Sequence, residues 1–90
     1  MKIDVLHKNG FKQLCRDWYR QEQKFDDVLL VTVTIETRTP KFTVRVNRRD
    51  EWGFFDEVFS LSDKFTTIAV VNGVMAYVAK YFKIDLKLIE

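Results

Sequence analysis

Residues 28–47 read VLLVTVTIETRTPKFTVRVN, and the way this stretch alternates decides the fold. Leu29, Val31, Val33 and Ile35 fall on one side of an extended chain, with Thr32, Thr34 and Glu36 on the other. After Thr39-Pro40 the alternation resumes, with Phe42, Val44 and Val46 inward and Thr43, Arg45 and Asn47 outward. Successive side chains of a strand point to opposite faces, so two alternating runs joined by a short proline-containing link predict an antiparallel hairpin with one buried face.

Upstream, Phe11, Leu14, Cys15, Trp18 and Phe25 stand at offsets 0, 3, 4, 7 and 14. That spacing predicts a helix from about Gly10 to Lys24, capped by Asn9, with Cys15 in its apolar face. The helix stops at Asp26-Asp27, a pair that favours a turn. Lys2 to Leu6 reads either as a short edge strand or as a disordered arm.

Downstream, residues 50–61 fit two periods. With period 2, Phe55, Glu57, Phe59 and Leu61 share one face of a third strand; with period 3.6, Trp52, Phe55, Val58 and Phe59 line a short helix. Gly53 and the Phe54-Phe55 pair favour the strand. Beyond it, Phe65, Ile68, Val71, Met75, Val78 and Phe82 make a helical seam. This predicts one long helix from about Asp63 to Phe82, N-capped by Ser62. A strand over FTTIAVV followed by a helix from Asn72 is the alternative. The tail KIDLKLIE alternates and reads as an edge strand.

The expected architecture is α+β: helix, hairpin, third strand and long helix, with an antiparallel sheet carrying the helices on one face. Ninety residues without linker, repeat or low-complexity segment predict one compact domain over 1–90. The order is similar in layout to that of double-stranded RNA-binding domains over roughly residues 10 to 83. Those domains open their last helix with a lysine cluster, where SDKFTT offers Lys64 alone, so the family is not assigned.

Composition narrows the function. The chain is 47% apolar and 31% charged, a folded composition. One cysteine excludes an internal disulfide and suits a reducing compartment, and no apolar run reaches the length of a membrane span. A cytoplasmic location with no membrane association is the expectation. With one His and one Cys, neither a metal site nor a Cys–His nucleophile pair is expected. The adjacent acids Asp26-Asp27, Asp50-Glu51 and Asp56-Glu57 diverge on either kind of element and do not pair for acid–base work. The isolated glycines make no phosphate-cradling loop. The expectation is a non-enzyme without cofactor or metal.

Charge distribution supplies the remaining signal. Net charge is +2, yet residues 37–49 hold Arg38, Lys41, Arg45, Arg48 and Arg49 with no acid, leaving the rest at −3. These five residues and Trp52 are the candidate partner-binding set. Trp52 is expected in the core, as large aromatics of small chains usually are; exposed, it would match the Trp-plus-Arg composition of interface hot spots. Phe54 and Phe55 are expected to open the next buried element. The function this predicts is a non-catalytic protein-binding module, of the kind of small inhibitor or regulator carried by phages and mobile elements, acting on a larger protein partner. The alternative is a nucleic-acid binder that contacts DNA or RNA phosphates through the basic hairpin.

Overall fold

The computed structural model describes residues 2–90. A short helix α1 (Ile3–Lys8) leads into five strands: β1 (Lys12–Cys15), β2 (Trp18–Phe25), β3 (Leu29–Glu36), β4 (Lys41–Arg49) and β5 (Phe55–Lys64). Helix α2 (Ile68–Phe82) follows, and a tail without regular structure ends the chain. The strands form one antiparallel meander in the order β1-β2-β3-β4-β5. The architecture is α+β, as the sequence predicts.

The hairpin 28–47 is the centre of the sheet. Val31 pairs with Val46, Val33 with Val44 and Ile35 with Phe42, all on the face covered by α2. These six side chains are at most 2% exposed. Val71, Met75 and Val78 of α2 close the core over them. Burying a side chain of this kind stabilises by about 1.5–3 kcal/mol, so the hairpin–α2 contact is the main stabilising layer.

The helix expected over 10–24 is instead the β1–β2 hairpin. Its apolar spacing by 3 and 4 competes with an alternation in WYRQEQKF that two glutamines disguise. Tyr19, Gln21, Gln23 and Phe25 face inward, and the amides of Gln21 and Gln23 are satisfied by hydrogen bonds. Polar residues on a core-facing row hide a strand from a hydrophobicity pattern. Cys15 therefore lies exposed on β1, not in a helix core. Asp26 and Asp27 do make a turn, both at positive φ (51° and 55°), between β2 and β3.

Three boundaries differ at the ends. Residues 3–8 form a helix that buries Leu6, neither an edge strand nor a disordered arm. Residues 55–61 are a strand that extends to Lys64, but a bulge at Val58 puts Phe55 and Glu57 on one face and Phe59 and Leu61 on the other, so the expected single face is corrected; Ser62 and Asp63 belong to β5 and α2 starts at Ile68 with Thr67 at its N-cap. The expected seam is nonetheless the buried one. Lys83, at φ 55°, ends α2 in the left-handed conformation.

The tail KIDLKLIE is not a strand, although its backbone is read like one. Asn9, Gln23 and Asn72 each pair an amide side chain with the N–H and C=O of Glu90, Lys87 and Ile89, at 2.8–3.1 Å. Leu86 and Ile89 are thereby seated in the core at 7% and 5% exposure. Among the described residues, no helix is long and apolar enough to cross a membrane.

Candidate functional site

Strand parity divides the basic run of β4. Val44, Val46 and Arg48 point toward α2, whereas Lys41, Arg45 and Arg49 point to the opposite face, which no helix covers. Steps of four residues place these three cations about 14 Å apart along one strand. Arg45 Nε lies 2.8 Å from Glu57 Oε1 on β5, an exposed ion pair worth at most about 1 kcal/mol.

Arg48 is on the other side of the sheet, its guanidinium carbon 5.9 Å from the Phe82 ring centroid. It caps the end of the core by a cation–π contact. Arg38 sits in the β3–β4 turn near Arg16 and Asp17, at the end of β4 remote from Trp52. The six candidate residues therefore do not form one patch: Lys41, Arg45 and Arg49 share a row, Arg49 adjoins the loop of Trp52, and Arg38 and Arg48 lie elsewhere.

That loop connects β4 to β5 and is strongly specified. Asp50 Oδ1 accepts the N–H of Trp52 and of Phe54, each at 2.9 Å. The Asp50 N–H donates to Phe54 O at 2.8 Å, and the Gly53 N–H to Asp50 O at 3.1 Å. Gly53 takes φ 86°, which a side chain would resist, and the Arg49 guanidinium lies alongside it. Hydrogen bonds from the Phe54 amide first, and also from the Trp52 amide, hold the Asp50 carboxyl below its ordinary pKa.

The clamped turn presents its aromatics to solvent. Trp52 is 78% exposed and Phe54 69%, and Phe55 is exposed as well. The expectation of a core tryptophan, and of Phe54 and Phe55 as the start of a buried element, is corrected. The turn closes through Asp50 and Gly53 and leaves Trp52 and Phe54 mostly in solvent.

The uncovered sheet face holds residues that the sequence reading missed. Cross-strand register puts Lys12, Arg20, Lys24 and Lys64 on the same side as Lys41, Arg45 and Arg49, against Glu22, Glu36 and Glu57. Seven cations against three acids make this face basic overall. Trp18, read as core in a helix, stands half-exposed at one end of it, above a hollow of about 330 Å³ that Thr34, Lys41, Thr43, Ser62 and Lys64 also line. Lys41 and Lys64 are direct cross-strand partners, an arrangement of like charges that costs stability. The alternation of WYRQEQKF is the signal that would have found Trp18 and Arg20.

Among the described residues no three His, Cys, Asp or Glu side chains come together as metal ligands do. His7 packs edge-on against Tyr19, ring centroids 5.9 Å apart. Comparison with protein-family models, with curated proteins and with solved structures returns no match, so the geometry of the tip and of the basic face carries the functional argument alone.

Proposed function

We propose that the chain is a non-catalytic protein-binding module, a small inhibitor or regulator that docks on a larger protein through the β4–β5 tip. The observation that carries this reading is the combination of exposure and order at that tip. Trp52 and Phe54 are 78% and 69% exposed, yet the backbone beneath them is fixed by four hydrogen bonds. A rigid aromatic anchor loses little entropy on binding, and Trp with a neighbouring Arg is the composition of interface hot spots. Trp52 and Phe54 insert into an apolar pocket of the partner. Arg49, Arg45 and Lys41 meet acidic side chains at its rim.

Affinity capture on the immobilised full chain tests the reading. A partner retained by the wild type is lost with Trp52→Ala, while Arg38→Ala, remote from the tip, retains it. Recovery of no partner, or of one indifferent to Trp52→Ala, removes the proposal.

A second reading rests on the basic sheet face. An open antiparallel sheet with cations and a half-exposed tryptophan also suits single-stranded nucleic acid, which binds by phosphate contacts and stacking. If Lys41, Arg45 and Arg49 each neutralise one phosphate, log affinity falls against log salt with a slope of about −2. Fluorescence polarisation with a labelled oligonucleotide at low and moderate salt decides it, and no binding at low salt ends this reading.

A further inference from the structure

The two edges of the sheet are unlike. β1 is four residues long and its register shifts between Gln13 and Cys15, which blunts it as a pairing edge. β5 is ten residues long and forms the other edge. Beyond the bulge at Val58, residues 59–64 run in unbroken register with β4 and contain neither proline nor glycine.

One hydrogen bond shows which backbone groups of that edge face outward. The Phe65 N–H donates to Pro40 O at 3.0 Å, so Phe65 is turned toward the β4 side. Successive residues of an antiparallel strand direct their backbone groups to alternate sides. Phe59, Leu61 and Asp63 therefore bond to β4, and Ser60, Ser62 and Lys64 direct N–H and C=O away from it. Asp63 Oδ1 accepts the Lys64 N–H at 2.7 Å. The N–H and C=O of Ser60 and of Ser62 have no partner among the described residues.

These free groups lie between two unlike walls. On the α2 side Leu61 is exposed, the Phe59 ring lies 6.1 Å from Tyr77, and Tyr77 stacks on Tyr81 at 6.0 Å. On the open side the edge row is Ser60, Ser62 and Lys64, backed on β4 by Arg45, Thr43 and Lys41. One wall is apolar; the other is short-chained and basic.

We propose that residues 59–64 of β5 take up an extended segment of a partner protein as an added strand, whose apolar side chains toward α2 alternate with acidic ones toward the open face. Free donors and acceptors spaced along a strand edge are matched by the backbone of another strand. The two walls then set the alternation of its side chains, apolar beside Leu61 and Tyr77, acidic beside Lys64. A second copy fits less well, because an isologous contact pairs the strand with itself. Centred on Leu61 such a pairing sets Phe59 against Asp63, and centred on Ser62 it sets Leu61 against Asp63. Centred on Ser60 it draws the bulged Val58 into the ladder. Phe59 is five residues beyond Phe54, about 17 Å along the strand, so strand addition and docking of the tip are tested apart.

The probe is an end-capped, fluorescein-labelled peptide that alternates valine with glutamate, titrated against the full chain by fluorescence polarisation, with amide exchange followed by NMR. In the free chain the Ser60 and Ser62 amides exchange fast while those of Phe59, Leu61 and Asp63 are protected; bound peptide protects Ser60 and Ser62 as well. An added strand uses one of its two edges. Of two versions N-methylated at every valine or at every glutamate, one therefore keeps binding and the other loses it. Ser60→Pro removes an outward N–H, which an edge strand tolerates, and weakens binding at least about five-fold, the loss of one hydrogen bond. A peptide with lysine in place of glutamate binds more weakly, and Trp52→Ala binds the parent peptide as the wild type does. No binding at about 1 mM peptide overturns the proposal. So does binding that leaves the Ser60 and Ser62 amides exchanging as before, or that survives both N-methylations. A chain that is already dimeric, with those two amides protected before any peptide is added, overturns it in favour of a second copy.

Discussion

Removing the Asn72 side chain tests how the tail is held. Its amide makes two hydrogen bonds to the backbone of Ile89, each at 2.8 Å and partly buried. At a net of about 1 kcal/mol each, their loss costs about 2 kcal/mol. Alanine is the better helix former at this position, which returns roughly 0.6 kcal/mol. Asn72→Ala is therefore expected to destabilise by about 1.5 kcal/mol if Gln23 and Asn9 keep the tail seated. If Ile89 leaves its site, its burial is lost too, adding about 1.5–3 kcal/mol. For a domain of this size each 1 kcal/mol shifts Tm by about 4–8 °C, so a fall of at least about 6 °C follows. Urea unfolding followed by circular dichroism gives the free energy directly. A double-mutant cycle with Ile89→Ala is expected to be less than additive, because both substitutions act on one seat. A neutral Asn72→Ala, or one stabilised by the helix-propensity gain alone, would refute the idea that side-chain amides hold the tail.

Trp52→Ala is expected to change stability by no more than about 0.5 kcal/mol, as at an exposed site, whereas Tyr19→Ala in the core should cost about 3–5 kcal/mol; equal losses in urea unfolding would return Trp52 to the core. The Asp50 carboxyl has its pKa lowered from 3.8 by the tip amides, so its support of the turn is full above 3.8 and disappears as pH falls through the lower folded value. Faster amide exchange at Trp52 and Phe54 in that acid window, absent from Asp50→Asn, is the readout, and protection that persists to the bottom of the titration contradicts the clamp. Cys15 is exposed on a sheet edge and should react with a thiol reagent in the native state; a reaction that waits for unfolding would place it inside.

Legibility followed how well hydrophobicity tracked burial. The hairpin 28–47 was readable because every inward position is Leu, Val, Ile or Phe and every outward one except Leu30 is polar. The α2 seam was readable for the same reason, although Phe65 precedes the helix rather than opening it. The β1–β2 hairpin was unreadable, because Gln21 and Gln23 occupy inward positions that the tail and the α1–β1 turn satisfy by hydrogen bonds. Those partners lie up to 64 residues away in sequence, and no local window contains them. Trp52 misled by its residue type: size argued for burial, while the constraint that sets its position is the turn chemistry of Asp50 and Gly53.

Strand parity explains why RVNRR does not act as one cluster. With period 2, Arg45 and Arg49 share the open face while Arg48 faces α2, so two adjacent arginines end on opposite sides of the sheet. Arg48 is already engaged by Phe82 and Arg45 by Glu57, which leaves Arg49 as the cation beside the tip. Lys41 stands between Glu36 of β3 and Lys64 of β5 on the open face. From Arg49 beside the tip, Arg45 and Lys41 follow along β4 on the open face.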